Sequence, residues 1–256
     1  MAVFENTDIR FNYCYWGRKG VPFVFFTGFG EKAYSYKNLL PALPANVSLL
    51  VIETPIAFFK KDQISLENGL KDLLLRLGLE KAICLGGFSF GNWIASSLIQ
   101  SKGLNIQAWV LVSPSTPFSY KAFQLLNYNK HLNALGRLII GSKCLVKFVL
   151  FFLKSGAKRV FIEHLLKSEN LLIRYLDSYA PIYSLREQFI HANSLKIPVL
   201  LLSSINDPIS SSKKTIDMGN RYSENACIFY TNNKKHSAFE KEFLKEIASF
   251  LSRICI

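Results

Sequence analysis

Short apolar runs recur along the chain and are separated by amphipathic stretches of helical period. An uninterrupted apolar run is typical of a strand buried on both faces, whereas apolar residues three and four positions apart indicate a helix packed along one side. The predicted buried strands are 22–27, 47–52, 82–85, 108–112, 198–203 and 226–230. Their alternation with helices predicts an α/β fold, a mainly parallel sheet with helices on both faces.

The amphipathic stretches predict where the helices lie. Leucines at helical spacing mark the segment 65–77, which Ser65 can cap and Gly78 can end. Near the N-terminus, strand candidates at 11–16 and 22–27 flank a Gly-Arg-Lys-Gly turn, so we predict a hairpin there. The remaining predicted helices of the α/β pattern are 34–43, 213–222 and 239–251.

The alternation stops between residues 118 and 187, where several helical stretches follow one another without a strand. The strand and helix pattern resumes after this segment. We therefore predict one core made of residues 1–117 and 188–256, interrupted by a helical cap insertion at 118–187.

The five residues Gly87-Phe88-Ser89-Phe90-Gly91 connect a predicted strand directly to a helix. Gly-x-Ser-x-Gly in this context is typical of a nucleophile elbow, a sharp turn that holds the serine hydroxyl clear of the sheet. Glycine at both outer positions avoids side-chain clashes within so tight a turn. The alternative interpretation is an ordinary turn whose serine caps the following helix.

A serine hydroxyl becomes a nucleophile when a base takes its proton and a third group orients that base. Asp207 directly follows the predicted strand 198–203, and His236 follows the last predicted strand. Each also fits a plainer role, a turn-forming aspartate before proline and a solvated loop histidine. Their order after Ser89 favours a catalytic triad. The other histidines lie in apparently helical stretches in or beside the insertion: His131, His164 and His191.

Two turns are predicted to supply the backbone N–H groups of an oxyanion hole. One donor is the N–H of Phe90, directly after the serine, and the other is the N–H of Phe29 in Thr27-Gly28-Phe29-Gly30. The alternative for the second segment is a simple glycine turn.

Hydropathy and cysteine spacing predict where the protein is located and whether its thiols are reduced. The N-terminus lacks the basic and apolar regions of a signal peptide, and the most apolar stretch, 145–153, is too short to span a membrane. We predict a cytoplasmic protein without a transmembrane segment or cofactor. Reduced thiols, with neither a disulfide nor a metal site, are predicted at Cys14, Cys84, Cys144, Cys227 and Cys255.

Together, Thr27-Gly-Phe-Gly30, Gly87-Phe-Ser-Phe-Gly91, Asp207 and His236 make the chain resemble the α/β-hydrolase superfamily over almost its whole length. Its size and single insertion are similar to compact esterases and lipases, including the pimeloyl-acyl-carrier-protein methyl ester esterases of biotin synthesis. The chain departs from the family pattern at two places. Thr27 stands where histidine is usual, and Glu53-Thr-Pro-Ile replaces a common Asp-x-Pro-Gly turn.

The resemblance implies a two-step acyl transfer. Ser89 attacks a carbonyl, His236 relays the proton and Asp207 holds the imidazole. The N–H groups of Phe29 and Phe90 stabilise the oxyanion, and water then cleaves the acyl-enzyme. The expected activity is hydrolysis of an aliphatic carboxylic ester, and the similarity to methyl ester esterases suggests a methyl ester of a carrier-bound acyl chain as one candidate substrate.

The charged and aromatic residues of the insertion suggest which kind of substrate and partner the protein binds. The chain carries a net charge of +13, and segment 118–187 holds eleven basic and four acidic residues, a net +7. We predict that an acyl chain contacts Phe148, Phe152 and Phe161. An acidic acyl carrier protein, a phosphate or an anionic lipid surface is predicted to dock at Lys143, Lys147, Lys154, Lys158 and Arg159.

Several interpretations of the insertion and of the fold stay open. Its phenylalanines fit simple packing of the cap onto the sheet equally well, and its lysines fit a solvated surface. A lipase or thioesterase acting at an anionic membrane is one alternative function, and a non-catalytic binding protein of the same fold is another. No nucleic-acid partner is expected.

Overall fold

The computed structural model describes residues 1–6, 9–17, 20–54, 63–80, 82–99, 101–114, 196–207, 210, 215, 226–234 and 236–255. The predicted insertion 118–187, and with it the proposed domain division, lies outside the described residues. Nearly all of the predicted helix 213–222 lies outside them as well.

Strands and helices alternate through the described part of the chain. The strands are β1 Ala2–Glu5, β2 Arg10–Trp16, β3 Val21–Phe26, β4 Val47–Ile52, β5 Ile83–Phe88, β6 Ile106–Val112, β7 Val199–Ser204 and β8 Ala226–Thr231. The helices are the 3-10 helix Ala33–Ala42, α1 Gln63–Arg76, α2 Gly91–Ile99 and α3 Lys241–Ile254. Because α1 begins before Ser65, that serine lies in the first turn and is not the predicted cap.

The eight strands form one sheet in the order β1-β2-β4-β3-β5-β6-β7-β8. Every neighbouring pair from β4 to β8 is parallel, and β2 is antiparallel to both β1 and β4. The predicted fold class, a mainly parallel sheet with helices, is confirmed.

The predicted hairpin between 11–16 and 22–27 is wrong, because β4 lies between β2 and β3. Phe23 and Phe26 of β3 are fully buried, as are the residues between them, so this strand needs cover on both faces and a central position. It therefore lies between two parallel partners, and β2 forms its hairpin with β1.

The core consists of two apolar layers, one on each face of the sheet. Successive side chains of β3 point to opposite faces, so that Val24 and Phe26 join one layer while Phe23 and Phe25 join the other. Helices α1 and α2 cover the first layer, and the 3-10 helix and α3 cover the second. This two-sided burial explains why the strands are continuously apolar in sequence.

The described cysteines are free thiols. Cys14, Cys84 and Cys255 are buried, Cys227 is exposed, and Cys144 lies outside the described residues. The Sγ atoms of Cys84 and Cys255 are 3.6 Å apart, where the C-terminal end of the chain meets β5. Within the described ranges, no helix is both long and apolar enough to cross a bilayer.

Candidate active site

Ser89 lies in the turn between β5 and α2, with a φ of 49°. Residues other than glycine rarely adopt this left-handed backbone conformation, which is characteristic of strained functional turns. The Ser89 N–H donates a hydrogen bond of 2.9 Å to the carbonyl of Val112 at the end of β6. The Ser89 carbonyl accepts hydrogen bonds from the backbone N–H of Asn92, at 3.4 Å, and from its side-chain amide, at 3.0 Å. The turn is thus held on both sides of the strained residue.

Gly87 and Gly91 permit close backbone contacts around this turn. A Cβ added at Gly91 would lie 2.3 Å from the carbonyl oxygen of Phe26 and 2.5 Å from that of Thr27. A Cβ added at Gly87 would lie 2.6 Å from the nitrogen of Asn92. The start of α2 therefore packs directly on the end of β3, where the segment containing Phe29 begins.

The structure brings His236 and Asp207 together. The Nδ1 of His236 lies 2.7 Å from the Oδ2 of Asp207, whose side chain is fully buried. The other carboxylate oxygen accepts the backbone N–H of Ser210 at 2.8 Å. The imidazole also packs against the ring of Phe88 with the centroids 4.8 Å apart, and Phe88 directly precedes Ser89 in the chain. The imidazole is therefore held by contacts with both the Asp207 carboxylate and the residue that precedes the elbow serine.

The Nε2 atom of His236 is buried and makes no hydrogen bond within the described part of the chain, to the Ser89 hydroxyl included. When Nδ1 donates its proton to a carboxylate, Nε2 carries the lone pair that can accept a proton. Hydrogen bonds between a nucleophile and its base are often long in unliganded enzymes and tighten when substrate binds. The arrangement is therefore compatible with general-base chemistry at Nε2.

The loops that carry Asp207 and His236 are hydrogen-bonded to each other. The backbone N–H of Ile205 donates to the carbonyl of Thr231 at 2.8 Å, and the side-chain amide of Asn206 donates to the carbonyl of Asn232 at 3.2 Å. These contacts extend the pairing of β7 with β8 beyond the strand ends. The acid and the histidine are consequently held by one continuous piece of structure.

Glu240 holds the start of the histidine loop through hydrogen bonds. Its Oε2 accepts hydrogen bonds from the Thr231 hydroxyl and from the Asn233 side-chain amide, both at 2.8 Å. The carboxylate is buried at the N-terminal end of α3. His236 therefore lies on a loop that is tied to both of its flanking elements.

The segment predicted to hold the second oxyanion donor is a tight turn. The Glu31 N–H donates to the Gly28 carbonyl at 3.2 Å, and Gly30 has a φ of 71°, which favours glycine at the third position of such a turn. The ring of Phe29 packs edge-to-face on that of Phe90, with the centroids 5.1 Å apart. The structure thus brings the two predicted donor segments into contact.

Two side chains that had no predicted role hold this turn. The Gly28 N–H donates to the hydroxyl of Tyr36 at 3.0 Å and to the Oε2 of Glu31 at 3.1 Å. The Tyr36 hydroxyl in turn donates to the same carboxylate oxygen. Burial, reinforced by the Glu31 carboxylate, raises the pKa of Tyr36 well above its ordinary value, so the hydroxyl keeps its proton.

The two departures from the family pattern are part of the same region. The Thr27 hydroxyl donates to the Glu31 carbonyl at 3.3 Å and accepts the Thr54 N–H at 3.1 Å. The neighbouring Glu53 accepts the Ala33 N–H at 3.2 Å. Threonine in place of histidine therefore links the loop after β3 to the loop after β4.

Sequence signals for these additional residues were weak. Asn92 directly follows the Gly-x-Ser-x-Gly motif, and Glu31 directly follows Gly30 of the glycine turn. These positions next to the motifs are the signal in the sequence that points to a role for the two residues. Tyr36 lies in the following helix and reaches Gly28 only through the tertiary fold. The predicted residues of the insertion all lie outside the described residues: Phe148, Phe152, Phe161, Lys143, Lys147, Lys154, Lys158 and Arg159.

Comparison with known proteins gives matches in structure. No protein-family model and no curated protein matches the sequence. A malate-bound esterase from Thermogutta terrifontis is 15% identical, with a TM-score of 0.67 over 98% of this chain and 97% of that one. An alpha/beta hydrolase enzyme from a metagenome of Mar Chica lagoon sediments is 15% identical, with a TM-score of 0.64 over 99% of both chains. Bromoperoxidase from Bacillus anthracis is 17% identical, with a TM-score of 0.66 over 98% of this chain and 99% of that one. At these identities the likeness establishes the fold alone.

Proposed function

We propose that this chain, which has the α/β-hydrolase fold, is a serine hydrolase that cleaves carboxylic esters of aliphatic acids through an acyl-enzyme. The observation that carries the proposal is the 2.7 Å contact between His236 Nδ1 and buried Asp207, with the imidazole packed beside the strained turn of Ser89. A fold alone does not define a function. An oriented histidine close to an elbow serine, however, is the arrangement that nucleophilic catalysis by serine requires. The esterases among the structural neighbours agree with this choice.

In the proposed mechanism, Ser89 Oγ attacks the ester carbonyl as His236 Nε2 takes the hydroxyl proton. Asp207 keeps the imidazole in the tautomer with Nδ1 protonated and stabilises the imidazolium. The tetrahedral intermediate collapses when the imidazolium gives its proton to the departing alkoxide, which leaves as the alcohol. Water, deprotonated by the same Nε2, then attacks the acyl-enzyme, and the imidazolium returns this proton to Ser89 Oγ as the acyl bond breaks and the acid leaves.

Peptide geometry supports Phe29 and Phe90 as the oxyanion donors. A carbonyl and the N–H of the next residue share one planar trans peptide and point in opposite directions. The Gly28 carbonyl faces the Glu31 N–H, so the Phe29 N–H is directed to the other side of the turn. The Ser89 carbonyl is likewise held by Asn92, so the Phe90 N–H is directed away from it. The contact between the two aromatic rings keeps these donor segments adjacent.

Labelling with a fluorophosphonate tests the chemistry most directly. We expect stoichiometric labelling of the folded chain and complete loss of labelling in Ser89→Ala, because this reagent forms its bond with an activated serine. Ser101→Ala, which removes a hydroxyl two residues beyond the C-terminal end of α2, is the matched control and should label like the wild type. Folded wild-type protein that takes up no label would favour a non-catalytic binding protein.

The finer part of the proposal is a carrier-bound acyl ester, with selection by the insertion 118–187. The net charge of +7 in that segment supports an acidic carrier protein as partner. Charge reversal at Lys143, Lys147, Lys154, Lys158 and Arg159 should raise KM for a carrier-bound ester by about tenfold or more and leave a small free ester nearly unchanged. Equal effects on both substrates contradict a carrier, and activation by anionic vesicles would instead indicate action at a membrane surface.

A further inference from the structure

We propose that Glu31 and Tyr36 form a positioning pair that fixes the turn 28–31 and so directs the Phe29 N–H toward the oxyanion. This inference rests on the proposed serine hydrolase function and extends it to two residues outside the triad and the elbow. Neither residue is proposed to contact the substrate. Both act through the peptide groups of Gly28.

Hydrogen bonds hold both sides of Gly28. Its N–H is bound by the Tyr36 hydroxyl and the Glu31 carboxylate, at 3.0 and 3.1 Å, and its carbonyl is bound by the Glu31 N–H at 3.2 Å. With both peptide planes of this glycine fixed, rotation of the peptide between Gly28 and Phe29 is blocked. The Phe29 N–H lies in the peptide that the Glu31 N–H holds, and the side chains of Glu31 and Tyr36 fix the preceding peptide, so that together these contacts set the direction of the Phe29 N–H.

Close packing keeps the side chains of Glu31 and Tyr36 against Gly28. A Cβ added at Gly28 would lie 2.7 Å from the Glu31 carboxylate and 3.0 Å from the ring of Phe88, so both groups press on the turn. Tyr36 is 1% exposed, and its ring packs on Phe25 and Phe239 with centroid distances of 5.4 and 5.1 Å. A side chain so enclosed holds its hydroxyl at one point, which is what preorganised oxyanion stabilisation needs.

The pair also lies close to the histidine. The ring of Phe88 packs between that of Tyr36, at 6.5 Å, and that of His236, at 4.8 Å. A shift of Tyr36 would consequently move the wall against which the imidazole rests. This arrangement links the oxyanion turn and the base through one aromatic contact.

Hydrolysis of a short p-nitrophenyl ester, by the full chain and four variants, tests the inference. Tyr36→Phe keeps the ring and loses the hydroxyl, so kcat should fall by about tenfold with KM within about twofold, because the ground state does not use the oxyanion contact. Glu31→Ala should lower kcat by about 100-fold, whereas Glu31→Gln keeps an acceptor oxygen and should restore most of the activity. Tyr34→Phe, the same chemical change on an exposed tyrosine of the same helix, should leave kcat unchanged.

Fluorophosphonate labelling separates failure of the inference from failure of the proposed function. Wild-type protein that does not label overturns the function and the inference together. Wild-type protein that labels, with Tyr36→Phe labelling at the same rate and hydrolysing with unchanged kcat, overturns the inference alone. If Glu31→Ala does not fold, Tyr36→Phe and Glu31→Gln decide, and a tenfold loss in the first with recovery in the second supports the pair. A larger change in KM than in kcat contradicts it.

Discussion

At the scale of single residues, the strained Ser89 depends on its neighbour Asn92. A non-glycine residue in the left-handed region costs about 1–3 kcal/mol and persists only where surrounding contacts hold it. The Asn92 amide donates to the carbonyls of both Ser89 and Val112 at 3.0 Å, and Val112 also accepts the Ser89 N–H. One buried side chain thus ties the elbow to the end of β6.

Replacing Asn92 with alanine should therefore weaken both the fold and the turn. We expect the free energy of unfolding to fall by about 1–3 kcal/mol, because two buried carbonyls each lose a donor. Urea denaturation measures this loss. Asn105→Ala, which truncates an exposed asparagine, is the control and should change stability by less than about 0.5 kcal/mol. Equal stabilities of the two variants would contradict the role given to the Asn92 amide.

Residue types indicated where Asp207 and His236 lie, but they did not indicate which residues hold the turn 28–31. The positions of Asp207 and His236 after two apolar runs could be recognised without a structure, since parallel strands end at one edge of a sheet. Glu31 and Tyr36 could not, because a glutamate and a tyrosine in a turn and a short helix acquire their role only through tertiary contact with Gly28.

At the scale of elements, helix α2 approaches β3 more closely than any side chain would allow. The carbonyls of Phe26 and Thr27 occupy the space beside Gly91 where a Cβ would be. This approach sets the elbow against the loop that carries Phe29. The contact is made by backbone on both sides, so neither partner can yield by rotating a side chain.

Gly91→Ala should accordingly displace α2 from the end of β3. We expect a loss of stability of about 1–3 kcal/mol together with a large fall in fluorophosphonate labelling rate, because the elbow separates from the turn that carries the proposed oxyanion donor Phe29. Thermal unfolding and labelling measure the two effects. Gly103→Ala is the control variant, because its new methyl group meets the ends of the Lys71 and Glu67 side chains, which can move aside. A wild-type labelling rate in folded Gly91→Ala would show that the close approach is not needed.

Strand positions along the chain were predictable, whereas strand order was not. The apolar runs located β3 to β8 because a strand buried on both faces has few polar residues. The pairing of β2 with β4 depends on which strand lies at the centre of the sheet. That position depends on how the whole molecule buries its apolar surface, which a local sequence pattern does not contain. The short β1, with three of its four residues exposed, lacks such a run and was missed.

At the scale of the whole molecule, the proton on Tyr36 couples stability to pH. Burial, and after it the Glu31 carboxylate, raises the pKa of Tyr36 above its ordinary value of 10.0. Between that value and the higher folded-state pKa, the unfolded chain has lost a proton that the folded chain retains. The free energy of unfolding must then fall as pH rises, by up to about 1.4 kcal/mol per pH unit for this group.

Comparison of the wild type with Tyr36→Phe isolates this effect. The difference in free energy of unfolding between the two proteins should be constant below pH 10 and shrink above it, since the variant has no hydroxyl to ionise. Urea titrations from pH 8 to pH 11 measure the difference, and the raised pKa of Tyr230 cancels because both proteins contain that residue. A difference that stays constant across this range would contradict a buried, protonated Tyr36.

The order of strands in the sheet also has a consequence for how the site is assembled during folding. Ser89 follows β5 and His236 follows β8, and these strands meet only through β6 and β7, which are separated in sequence by residues 113–198. Contacts between distant parts of a chain form late, because closing long loops costs entropy before any contact compensates it. On refolding, helical signal from local segments should return first, and competence to react with a fluorophosphonate should mark the docking of β7 and β8 that completes the sheet.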